Sequence, residues 1–222
     1  MGLLFFGSNR YLLRFGFMNL ITKISTILSV VFQPLFMPFI AMLFMLYLPS
    51  ELNNMLTFEI KKAIILLNFI FTIFFPLVMF VVFLKLKWIT DIHLTVRKER
   101  VIPTFISLAL FVVLYFLMRD ISELSNDFLL IYLGSILGVL IANIVTLFWK
   151  ISIHGFGVFG VVGAILAMSS ITNIYFPLIL SLCLLIAILV GISRLVLKRH
   201  TPLQVILGSL LGLTSPSFFF LF

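Results

Sequence analysis

Two short stretches of this chain combine an imidazole with hydroxyl and cationic groups: Lys150-Ile-Ser152-Ile-His154-Gly155, and Ser193-Arg194 followed after five residues by His200. A third stretch, Trp88 to Pro103, holds His93, Arg97, Lys98 and Arg100. Together they offer guanidiniums, ammoniums, hydroxyls and imidazoles, with only Asp91 and Glu99 as carboxylates and no cysteine cluster. That inventory suits a phosphate, because arginine forks pair bidentately with phosphate oxygens while lysine adds point charge. Helix starts add backbone N–H groups: His154 and Gly155 open one apolar segment, and Thr201-Pro202 read as N-cap and first residue of another. Two histidines beside a phosphate permit a covalent route, one imidazole attacking phosphorus and the other protonating the leaving alkoxide, with water then hydrolysing the phosphohistidine. Such a route needs no metal and no other cofactor. Taken singly, Lys85, Lys87, Lys198 and Arg199 read as anchors for lipid headgroups.

The elements that must position these residues are membrane helices. The chain has 222 residues, 63% hydrophobic and only 10% charged, with a mean hydropathy of +1.33, far from the makeup of soluble domains. Seven runs approach the roughly 20 residues a spanning helix needs: Ile24 to Leu48, Ala63 to Leu84, Val101 to Met118, Phe128 to Trp149, Gly155 to Ser170, Tyr175 to Leu197 and Pro202 to Phe222. Their continuity excludes a barrel of alternating strands. The expected fold is an all-α polytopic transmembrane bundle of about six to seven membrane helices. It forms a single domain, 1–222, with residues 1–20 as an interfacial segment and residues 85–210 carrying the chemistry. Consecutive polar stretches are separated by two segments, so all three histidines return to one membrane face.

Most of the 15 lysines and arginines also fall on that face, and most of the 7 acidic residues on the other. In a soluble chain the net charge of +8 would suggest nucleic acid; in a chain this apolar it points to the bilayer, and no nucleic-acid partner is expected. Basic excess marks a cytoplasmic face, yet an anion site needs cations wherever it lies. Cys183, the single cysteine, permits no intrachain disulfide and reads as packing. Pro34, Pro38 and Pro76 fall within apolar runs and predict kinks. Gln33, Asn68 and Asn143 predict bonds between helices. Gly155-Phe-Gly157-Val-Phe-Gly160 satisfies a dinucleotide-loop pattern without the strand and helix around it; with Gly163, Ala164 and Ala167 it reads as a small-residue packing face.

Ser193-Arg194-x5-His200-x3-Gln204 resembles the third signature of the type 2 phosphatidic acid phosphatase and haloperoxidase superfamily, Ser-Arg-x5-His-x3-Asp, with glutamine for aspartate. Ser152-Ile-His154 is similar to its second, Pro-Ser-Gly-His. The first, Lys-x6-Arg-Pro, is echoed by Arg100, with His93 at the lysine position and proline three residues late. The resemblance implies His200 as nucleophile, His154 as general acid, and Arg100, Arg194 and Ser152 as phosphate ligands. Lys98 and Lys150 are the candidates to replace the missing lysine, neither placed by the motif itself, and His93 reads as an interfacial or loop residue. Gln204 would orient His200 without the aspartate's charge; alternatively, Thr201-Pro-Leu-Gln204 is a capping box.

The implied activity is a metal-independent membrane lipid phosphate or diphosphate phosphatase, with the lipid bilayer and a lipid phosphate as its partners. The expected location is the inner (cytoplasmic) membrane of a bacterium. The family's sites face away from the cytoplasm, opposite to the charge count. A relative that binds or moves an anionic lipid without cleaving it is the alternative, and a haloperoxidase is more distant because those enzymes are typically soluble.

Overall fold

A computed structural model describes residues 5–89 and 97–220, with side chains from Met18 onward apart from Arg97, Lys98 and Arg100. Its helices are α1 (Phe5–Val31), α2 (Met37–Tyr47), the single-turn α3 (Glu51–Met55), α4 (Phe58–Phe69), α5 (Phe75–Lys85), α6 (Arg97–Arg119), α7 (Asn126–Phe148), α8 (Ile153–Thr172), α9 (Pro177–Val196) and α10 (Pro202–Thr214). No strand occurs among the described residues. Six stretches are long and apolar enough to cross a membrane: 18–47, 58–85, 101–119, 126–148, 153–172 and 177–196. The protein is thus an integral multi-pass membrane protein built as an all-α bundle.

Side-chain sorting fits a lipid surround. On α9 the exposed residues include Leu178, Leu182, Leu185, Ile188 and Ile192, while Ala187, Val190, Gly191 and Ser193 are buried. On α1, Ser25 and Ser29 are buried and Ile24, Ile27, Val30 and Val31 exposed. Small and polar residues inside with large apolar ones outside is the arrangement expected where close helix packing, and not escape from water, holds helices together.

Two of the seven expected segments differ. The run Ile24 to Leu48 is not one helix: α1 stops at Val31 and α2 starts at Met37, with a 3₁₀ turn at Pro34–Phe36 between them. Pro34 and Pro38 each sit at the start of the helical piece they open, where a missing N–H costs nothing. The run Pro202 to Phe222 does not span. α10 has 13 residues, about 20 Å at the helical rise, against a hydrocarbon core of about 30 Å. It ends inside the bundle, where a Cβ on Gly134 or Gly138 of α7 would run into Ser215 and one on Gly163 of α8 into the Leu213 carbonyl. Its last carbonyls are met by Ser215 and Ser217, whose hydroxyls donate to Gly212 and to Leu213 and Thr214, as backbone ending at membrane depth requires.

α8 and α10 lie side by side and run in the same sense. A Cβ on Gly208 would stand 2.5 Å from the Ser152 carbonyl, and one on Gly212 would overlap the Phe156 carbonyl. The glycine-rich face of α8 is therefore a packing face, shared between two neighbours: Gly155 and Gly163 meet α10 and the turn after it, while Gly157 meets Met37 and Pro34. Between α4 and α5 the backbone is π-helical over Ile70–Phe74. Pro76, lacking an N–H, accounts for the disturbance. Asn143 and Asn68 bond across helices as expected, to the Thr104 carbonyl and to the Tyr132 hydroxyl.

Candidate functional site

The five-residue spacing between Arg194 and His200 has a physical origin in how α9 ends. Lys198 adopts a left-handed backbone, φ 53°. The Lys198 N–H donates to the Leu195 carbonyl and the Arg199 N–H to the Arg194 carbonyl, which together close a Schellman turn. The chain then reverses, His200 follows at once, and Thr201 caps α10, its hydroxyl accepting from the Gln204 N–H. Ser193 and Arg194 are thus in the last turn of one helix and His200 just outside the first turn of the next.

The second histidine is carried by the start of α8. Ser152 is its N-cap, accepting from the Gly155 N–H at 3.3 Å. The Ser152 N–H donates to the Gln204 main-chain carbonyl at 3.1 Å. One backbone bond therefore ties the turn bearing His154 to the turn bearing His200, and both helix N-termini sit at the same end of the bundle.

Gln204 fills both of its expected roles with a single atom. Its side-chain oxygen accepts from the Thr201 N–H at 3.2 Å, completing the capping box, and lies 3.1 Å from Nδ1 of His200. Because an N–H must face an oxygen, the amide orientation is fixed, and Nδ1 must then be the protonated ring nitrogen. The lone pair of the neutral ring is therefore on Nε2. His154 is set the other way round. Its Nε2 lies 3.1 Å from the Ser29 carbonyl, an acceptor only, so Nε2 carries hydrogen and Nδ1 is the exchanging nitrogen. That carbonyl is in the last turn of α1, and the carbonyl end of a helix attracts positive charge. Ser29 also bonds Ser193, hydroxyl to hydroxyl, at 3.0 Å.

His154, His200, Lys150, Arg194, Lys198 and Arg199 all line one cavity of about 730 Å³. The structure thus brings together both histidines, Lys150 and Arg194 from the residues expected by sequence. It also brings in Lys198 and Arg199, which sequence alone reads as anchors. Ser152 does not line the cavity: it is fully buried and its hydroxyl is engaged as the cap of α8. Lys98 and Arg100 belong to the first turn of α6, whose residues Thr104 and Ser107 reach the cavity; their side chains lie outside the described residues, as do His93 and Asp91. Sequence reading missed Ser29. A main-chain carbonyl leaves no residue-type signal, and only the Ser25, Ser29 repeat on an otherwise apolar stretch hinted at a buried stripe. Among the described residues no three His, Cys, Asp or Glu side chains gather as metal ligands.

Gln204→Glu keeps the length of the side chain and the capping box while placing a charge behind Nδ1 of His200. A carboxylate there makes the His200 ring more basic than the amide does, so the His200 imidazole is expected to titrate at higher pH in Gln204→Glu than in wild type. NMR titration of the ring checks this; an unchanged midpoint would show that residue 204 acts on the helix start alone.

One family model matches this part of the chain, over residues 148–222; its description is the PAP2 superfamily. No curated protein and no solved structure matches the chain.

Proposed function

We propose, on the match of residues 148–222 to the PAP2 superfamily, that the chain is a phosphatase of this superfamily and hydrolyses a phosphate monoester or diphosphate on a membrane lipid, through a phosphohistidine. The observation that carries this reading is the convergence of His154 and His200 with Lys150 and Arg194 at the head of one membrane-embedded cavity.

In the first step Nε2 of His200 attacks phosphorus in line with the lipid oxygen. The N–P bond forms as the P–O bond breaks, and Nδ1–H stays donated to Gln204, whose dipole takes up part of the positive charge on the ring. His154, entering as imidazolium with Nε2–H on the Ser29 carbonyl, delivers the Nδ1 proton to the departing alkoxide. In the second step the same Nδ1 removes a proton from water as its oxygen attacks phosphorus. Inorganic phosphate leaves, His200 returns neutral, and His154 is again protonated. Arg194 and Lys150 offset charge on the equatorial oxygens, with Lys98 and Arg100 assigned to help from the start of α6. Ser152 acts from behind, by fixing the turn that holds His154.

Purified protein in lipid nanodiscs is expected to release phosphate from at least one of phosphatidate, phosphatidylglycerol phosphate or a polyprenyl diphosphate. Release should persist in excess chelator, and vanadate should inhibit it as a phosphorane mimic. Loss of all release on chelation would remove the metal-independent route. The host membrane is taken to be the cytoplasmic membrane of a bacterium. A single cysteine near Lys150, in a background lacking Cys183, reads the site's sidedness: labelling in intact cells by an impermeant reagent would exclude a cytoplasmic site.

The uncharged Gln204 supports a second reading, a protein that binds or moves an anionic lipid without cleaving it. Lipid binding abolished by Arg194→Ala, with no release by wild type across the three lipids, would establish it.

A further inference from the structure

The cavity does not end at the histidines. On α8 its wall runs from His154 down to Ala164, and on α7 from Asn143 to Ile131, a depth of about 18 Å at the helical rise. The hydrocarbon core is about 30 Å thick, so this depth is close to one leaflet, the length of one lipid chain. The floor is Met42, Met45, Ile131 and Tyr132, all buried residues of the main core cluster. Its volume, about 730 Å³, is that of a single-ligand site.

The polarity of the walls changes with depth. At the mouth stand Lys150, Arg194, Lys198 and Arg199. Below it the hydroxyl side chains are already engaged by their own or a neighbouring helix, and the Gln33 amide is the polar group of the wall without a hydrogen bond to the protein among the described residues. The hydroxyls of Thr72, Ser107 and Ser135 donate to the carbonyls of Asn68, Pro103 and Ile131, and Tyr132 donates to Asn68. A group entering this region finds no hydroxyl proton waiting for a partner, and methionines at the floor adapt to an alkyl surface.

We propose that the lower cavity is a chain-binding site: it takes a single alkyl or prenyl chain of a phosphorylated amphiphile into the bundle, and its floor at Met42, Met45 and Tyr132 sets the longest chain that fits with phosphate at the histidines. This rests on the reading of the head as a phosphate site. The chain lies between helices and not in the surrounding lipid, so single-chain substrates of leaflet length are preferred over longer ones.

The test uses the full chain in nanodiscs and a series of single-chain alkyl phosphates of increasing length, each with a photoreactive diazirine on its last carbon. Labels from leaflet-length probes are expected on Met45 or Tyr132, and those from shorter probes higher on the wall. Labels confined to lipid-facing residues such as Leu185 and Ile188 would overturn the proposal. In parallel, Ser135→Phe, which narrows the cavity midway, is expected to lower the long-to-short ratio of kcat/KM by about tenfold, the scale on which pockets discriminate chain length. Met45→Ala should move the optimum to longer chains. Variants that change all lengths equally would also overturn it. Floor labelling without any phosphate release keeps the chain site and removes the hydrolase reading; release without floor labelling does the reverse.

Discussion

His200→Ala is expected to abolish phosphate release, by at least about 10³-fold, the scale on which hydrolases lose turnover when a covalent nucleophile is removed. Folding should survive, because the ring is only half-buried, stands outside the first turn of α10, and is not part of the capping box that starts that helix. The comparison with His154→Ala separates the two roles. On the proposed route no phosphoenzyme should form without His200, whereas without His154 it should still form from a substrate with a good leaving group, such as an aryl phosphate, and then decay slowly. Rapid acid-free quenching after mixing with labelled substrate reads this directly. Wild-type turnover in His200→Ala, or a labelled phosphoenzyme that persists in it, would move the nucleophile elsewhere.

Gly212→Ala is expected to cost at least about 3 kcal/mol of stability, at the upper end for overpacking, or to yield no folded protein. The added methyl would overlap the carbonyl carbon, carbonyl oxygen and Cα of Phe156. All three are main-chain atoms within a helix, so no rotamer change relieves the clash, and α10 must move away from α8. That movement also breaks the Ser152 to Gln204 backbone bond, so activity should fall with stability. Gly160→Ala is the control. Its Cβ would find only the Gly212 carbonyl, at an ordinary 3.8 Å, and the change should stay within about 0.5 kcal/mol. Unfolding midpoints in detergent compare the two; equal midpoints would mean that α8 and α10 are not held at this separation.

The membrane fold was legible because hydropathy and length alone identify long apolar helices, and six expected runs became spans. The two departures share a cause. Hydropathy measures the solvent and not the backbone, so it cannot see the α1 to α2 break at Gln33 and Pro34, where both flanks stay apolar, or that α10 stops at Thr214 while the apolar run continues. In the candidate site, His154, His200, Arg194 and Lys150 stand out by residue type and spacing, and all four line one cavity. The spacing itself is explained by the Schellman turn at Lys198, which no glycine announced. Ser152 came in as a phosphate ligand through the resemblance of Ser152-Ile-His154 to a family signature, and its place as the buried cap of α8 is one that residue type could not have told apart from a ligand's. The lower cavity was invisible for a different reason. Its lining of methionine, proline, alanine and small hydroxyl residues is also the composition of a packed membrane core, and only coordinates distinguish a wall from a filling.

The bond between His154 and the Ser29 carbonyl joins residues 125 positions apart, one in the first helix and one near the start of the region that matches the family model. A chain entering the membrane amino terminus first has α1 in place long before α8 and α10 are made. The two imidazoles are therefore set on different terms: His200 meets Gln204 within one turn of chain, whereas His154 finds its carbonyl only once the start of α8 has come beside the much earlier α1.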